Sequence, residues 1–135
     1  MADRHSHGVL DTSVVIDLAD IPAEHLPEEA TITTITLAEL AQGPRFASDE
    51  PTRALRIERL QVAEREYQAP LPFDDRAARR FGGLVALVLA ASRQPRPRRL
   101  DLMIAATAAV NDLPLYTRNV GDFAGLGDAV TIVGT

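Results

Sequence analysis

Four carboxylates in this chain, Asp11, Glu39, Asp101 and Asp122, each stand beside a stretch that a protein would bury: "GVLDTSVVI", "ITLAEL", "LDLMIAATA" and "LPLYTRNVGDF". A buried carboxylate without a partner loses several kcal/mol of hydration. Acids grouped together also repel one another and raise each other's pKa. A divalent cation with oxygen ligands removes that cost, and Mg²⁺ or Mn²⁺ suits a few carboxylates completed by water and substrate phosphate. Such a centre activates water and stabilises charge on a phosphodiester. Each acid also has an ordinary structural use. Thr36-x-x-Glu39 has the form of a capping box. Asp101 suits a helix N-terminus. Asp122 suits a turn, and Asp11 could close an Asx-turn. Asp17, Asp74 and Asp75 read as solvated or capping residues. The joint placement of the four acids favours chemistry.

That placement depends on the elements around them. Residues 8–10 predict a short buried strand, with a turn at 11–13 and a helix over 14–19 capped by Thr12 or Ser13. Prolines at 22 and 27 break the pattern. A β-branched strand is expected over 31–35 and a short helix over 36–42, stopped at Gly43-Pro44. A long charged amphipathic helix is expected over 48–67. "APLPF" reads as a short strand or extended link. A helix capped by Asp74 or Asp75 runs to about residue 92, "RQPRPRR" is a loop, and an Ala-rich helix covers 100–110. "LPLYT" and "VTIV" are the last strands. Strands separated by helices predict an α/β fold, a three-layer α/β/α sandwich around a central parallel sheet, as one domain over 1–135. In such sheets the functional crevice lies beyond the carboxyl ends of the strands. Asp11 follows the first strand, Glu39 falls on the first turn of the next helix, Asp101 opens the helix leading to "LPLYT", and Asp122 follows that strand.

Composition narrows the class. The 135 residues are 46% apolar and include no cysteine, which excludes disulfides, thiolate zinc sites and Cys nucleophiles. No stretch approaches the ~20 apolar residues of a membrane span, and no signal-peptide core is visible; a cytoplasmic protein is expected. Net charge is −5, yet residues 76–100 carry seven arginines and no acid, leaving −12 for the rest. One basic surface and one acidic region are therefore expected on the same domain. All 14 basic residues are Arg, which suits phosphate recognition but also follows from an Ala- and Arg-rich composition.

"VLDTSVVIDL", "ITLAEL", "LDLMIAATA" and "LPLYTRNVGDF", in this order and spacing, resemble a PIN-domain protein of the VapC type, the toxin ribonucleases of bacterial toxin–antitoxin pairs. The resemblance spans about residues 8–133. It implies a compact α/β/α sandwich and Mg²⁺- or Mn²⁺-dependent endoribonuclease activity. By motif, Asp11 and Asp101 are metal ligands and Glu39 is the acid of the second motif. Many relatives carry a further acid where this chain has Asn119. Asp122 is then the remaining acid and a third metal ligand, with Asn119 a neutral contact and Ser13 and Thr117 supporting hydroxyls. Three firm acids suit one metal better than two. Hydrolysis by metal-activated water, leaving a 3′-hydroxyl and a 5′-phosphate, is what the family precedent implies. It also implies a second copy of the chain, a VapB-type antitoxin over the cleft with an arginine reaching the acids, and tRNA or rRNA as targets. The helix over 48–67 is the expected docking surface.

An acidic cleft repels RNA, so Arg93, Arg96, Arg98 and Arg99, just before Asp101, are expected to contact flanking phosphates. With two Tyr, four Phe and no Trp there is no evident base-stacking platform. His5, His7 and His25 are not expected to take part in catalysis. A response-regulator receiver and a haloacid-dehalogenase-type phosphatase both need a lysine, which this chain lacks. "LDTS" is neither a dinucleotide-binding turn nor a P-loop. An inactive PIN fold that only binds RNA or antitoxin is the alternative left open by Asn119.

Overall fold

Four short strands run parallel in the order β2-β1-β3-β4 in the computed structural model, which describes residues 5–135. They are β1 (His7–Leu10), β2 (Glu29–Thr31), β3 (Leu115–Thr117) and β4 (Ile132–Gly134). Five helices connect them: α1 (Thr12–Ile16), α2 (Thr34–Gln42), α3 (Glu50–Glu66), α4 (Asp75–Ala90) and α5 (Arg99–Val110). Side chains alternate across a pleated strand, so the two central strands feed two separate cores. Val9 and Leu115 lie in one, with Leu84 and Val88 of α4 and Leu102 and Ala105 of α5. Leu10 and Tyr116 lie in the other, with Val14 of α1, Ile32, Leu40 of α2 and Ala63 of α3. These are the expected three layers. Ala105, Ala106, Ala108 and Ala109 are all buried, and their small side chains let α5 pack closely against its neighbours.

The register decides where the site sits. Val9 pairs with Leu115 and Leu10 with Tyr116, so the residues that follow, Asp11 and Thr117, emerge side by side. Gly8 is required at this junction, since a Cβ there would stand 2.6 Å from Cε1 of Tyr116.

Several boundaries differ from the sequence reading. The second strand is Glu29–Thr31, not 31–35, because Thr33 already caps α2: its Oγ1 accepts the Thr36 N–H at 3.2 Å. Thr36 is therefore inside the helix, and the capping box with Glu39 does not form. Glu39 lies in the second turn. Likewise α1 starts at Thr12 with Asp11 in the cap position, so neither Thr12 nor Ser13 is its cap. Residues 17–19 leave the α-helix for a 3-10 turn, Leu18–Asp20. "APLPF" is an extended link with one bridge, Leu71 N–H to Ile32 O at 2.9 Å and Thr34 N–H to Leu71 O at 2.9 Å. Asp74 caps α4 through the Ala77 N–H at 3.0 Å, and part of "RQPRPRR" winds into a 3-10 turn, Arg96–Arg98. His7 belongs to β1, where Nε2 meets Oε2 of Glu29 at 3.0 Å.

Candidate active site

Asp11 is 4% exposed, and its carboxylate does not cap α1. Instead Oδ2 accepts two hydroxyl bonds, from Ser13 at 2.9 Å and Thr117 at 2.8 Å. Those hydroxyls are held in turn. The Arg118 N–H donates to Ser13 Oγ at 3.3 Å and the Asn119 N–H to Thr117 Oγ1 at 3.0 Å. The predicted supporting residues thus form one network. Asn119 joins through its backbone N–H, and its exposed side chain takes no part in these bonds. Both bonds fall on one oxygen, so Oδ1 accepts none from a described residue. An Asx-turn is not what this aspartate is for.

Glu39 approaches from α2. Its Oε1 accepts the Thr12 hydroxyl at 2.8 Å, with Thr36 Oγ1 3.0 Å from the same hydroxyl. Thr12 was expected only as a cap. The sequence signal for its contact with Glu39 is the hydroxyl pair directly after Asp11, which the first turn of a helix aims in different directions. Burial raises the Glu39 carboxyl above its ordinary value; the Thr12 bond lowers it and the Asp11 charge raises it. Asp101, in the first turn of α5, is pushed up to about 6. Burial is the largest cause, followed by the charges of Asp11, Asp122 and Glu39, with Arg98 opposing. Four acids from four segments therefore share one electrostatic field at the carboxyl edge of β1 and β3.

Asp122 differs from the others. It sits in the 3-10 turn Val120–Phe123, and its Oδ1 meets Nη2 of Arg98 at 3.1 Å. The four arginines expected to face RNA divide accordingly. Arg98 answers Asp122, and Arg93 donates to the Gly121 carbonyl at 3.3 Å. Arg96 and Arg99 are exposed and line a cavity with Glu39 and Asp101.

Among the described residues, no group of three or more acids or histidines is drawn together tightly enough to hold a metal by itself. The donor set nevertheless fits a hard cation: all oxygens, with one oxygen of Asp11 fixed and the other uncommitted. Mg²⁺ in particular needs only one or two carboxylates beside water and phosphate.

The comparisons decide the family. No protein-family model matches the chain. It is 38% identical over 136 residues to ribonuclease VapC5 of Mycobacterium tuberculosis, covering 98% of this chain and 96% of that protein. The chain belongs to the VapC ribonuclease family. VapC8 of the same organism is 34% identical over 104 residues, 76% of this chain and 91% of its own. Among solved structures, VapBC-5 of M. tuberculosis, a member of the VapBC family of toxin–antitoxin systems, matches with a TM-score of 0.85 and 36% identity over 96% of this chain and 99% of that one. FitAcB of Neisseria gonorrhoeae matches at 0.72 and 27% over 93% and 96%. Among the described residues no helix is long and apolar enough to cross a membrane.

Proposed function

We propose that this VapC-family chain acts in the cytoplasm as the endoribonuclease toxin of a VapBC-type pair, dependent on Mg²⁺ or Mn²⁺. One observation carries the reading: four carboxylates from separate segments act on one another electrostatically, Glu39 and Asp101 border one cavity, and of these four acids only Asp122 has an ion-paired arginine among the described residues. Asp11 and Asp101, with Asp122 beside them, are the residues that would hold the ion. A bound divalent cation would supply an activated water and neutralise charge on the phosphodiester. Glu39 is the side chain placed to orient the attacking water and take its proton, since burial has already raised its affinity for one. The water oxygen bonds to phosphorus as its proton passes to Glu39, the P–O3′ bond breaks, and the departing 3′ oxygen takes a proton from solvent, leaving a 3′-hydroxyl and a 5′-phosphate. Ser13 and Thr117 fix the rotamer of Asp11 throughout.

The partners follow from the same family. A VapB-type antitoxin would cover the cleft, and its arginine reaching the acids would replace the missing counter-charge. The apolar groove of about 410 Å³ between α1 and α3, lined by Ile16, Leu55 and Val62, suits it. A second copy of the chain and a structured RNA such as tRNA or rRNA complete the proposal. Expression without antitoxin should arrest growth, and Asp11→Asn should relieve the arrest at equal protein level. Growth arrest unchanged by Asp11→Asn would overturn the assignment of the site.

A further inference from the structure

Glu39 lines two cavities. The first, of about 470 Å³, is bordered by Arg96 and Arg99 beside Asp101. The second, of about 430 Å³, runs away between α2 and α3 and carries Arg56 and Arg59, with Thr12 and Thr52. Glu39 is the residue the two share, so an extended ligand lying across it meets both linings. The centre is negative and cannot attract a polyanion by itself. Each flank supplies the opposite charge.

The two arginines of the second arm are not equivalent. Arg56 donates to the Gly43 carbonyl at 3.0 Å and so helps close the end of α2. Arg59, one helical turn further along α3, has no hydrogen bond or ion pair with any described residue and is half-buried. Its guanidinium takes no acceptor from a described residue and keeps contact with solvent, and a phosphate oxygen is the acceptor its planar fork matches best. We propose that Arg59 forms a second phosphate-binding subsite, so that RNA enters past Arg96 and Arg99, crosses Glu39 and leaves along α3 held by Arg59. This rests on the ribonuclease reading. The arm on α3 was not visible in sequence, where "RALRIERLQVAERE" belongs to a charged amphipathic helix expected to dock the antitoxin.

The same arginine also borders the apolar groove between α1 and α3. An antitoxin is therefore the competing occupant, and the test separates the two. Binding of a fluorescein-labelled single-stranded RNA of mixed sequence is measured by anisotropy as salt is varied, with all proteins carrying Asp11→Asn to prevent cleavage. Each phosphate contact on a single strand contributes about 0.7 to the slope of log K against log salt. Arg59→Ala should lower the slope by that amount. It should weaken binding about fivefold at 0.1 M salt, the difference vanishing toward 1 M. Arg59→Lys should keep most of the slope, and Arg65→Ala, exposed on the last turn of α3, should leave it unchanged. An unchanged slope for Arg59→Ala, with RNA still bound, overturns the subsite, including the case where only antitoxin binding is lost. No RNA binding by any variant would instead overturn the ribonuclease reading itself.

Discussion

Asp101 has its carboxyl pushed up to about 6, against an ordinary 3.8, by burial and by Asp11, Asp122 and Glu39. The folded chain therefore holds this proton more tightly than the unfolded chain. Without a divalent ion, the stability it contributes is complete below the unfolded value and is lost as pH rises through about 6. Asp101→Asn, which mimics the protonated form, should stabilise the chelated protein by about 1 kcal/mol at about pH 7, after discounting for solvent reaching a half-buried group, and by almost nothing at about pH 4. Urea unfolding in EDTA at the two pH values measures this. An equal gain at both would show that the acids do not repel one another. Asp11 makes the related point structurally. A carboxylate held by Ser13 and Thr117, with one oxygen uncommitted, is organised to meet something outside the chain.

The elements bring these residues together through two connections. Parallel pairing of β1 with β3 sets Asp11 beside Thr117, and the cap at Thr33 sets the rotation of α2 and so the direction of Glu39. Thr33→Ala should cost about 1 kcal/mol, typical of a lost N-cap. It should also slow RNA cleavage by letting the first turn of α2 fray, while Thr33→Ser restores both. Unfolding curves and cleavage rates on the same proteins check it, and a stability loss with full activity would show that Glu39 is not positioned by this cap. The alternation of apolar residues made the strand–helix order legible in sequence, as did the proline and glycine stops. The start of α2 was not, because Thr31, Thr33, Thr34 and Thr36 all suit a β-strand and any can cap a helix. Tertiary packing of Ile32 chose among them. Asp11 and Glu39 could be found from their positions after strands, and Asp101 from its place at the start of the helix that leads to "LPLYT". The pairing of Arg98 with Asp122 could not, since nothing local in "RQPRPRR" indicates which arginine folds back.

On the scale of the whole molecule, the charge asymmetry of the sequence resolves into an acidic centre flanked by arginines. Of the seven in the basic segment, Arg96 and Arg99 border the cleft, while Arg76, Arg79 and Arg80 line a separate hollow with Ala109 and Val110 toward the far end of α5. The acids alone would hold RNA off. A cation in the centre and arginines beside it turn the same cleft into one that takes a phosphodiester. The central claim is that this cleft is an ion-dependent catalytic centre, and the direct measurement is RNA cleavage by the purified chain in Mg²⁺ or Mn²⁺, in EDTA, and with Asp11→Asn or Asp101→Asn, each shown folded by circular dichroism. The account predicts cleavage with either ion and none in EDTA. It predicts a loss of more than about a hundredfold for each substitution, beyond what removing a mere supporting partner of a metal ligand causes. Cleavage that persists in EDTA, or that survives either substitution at full rate, would contradict it.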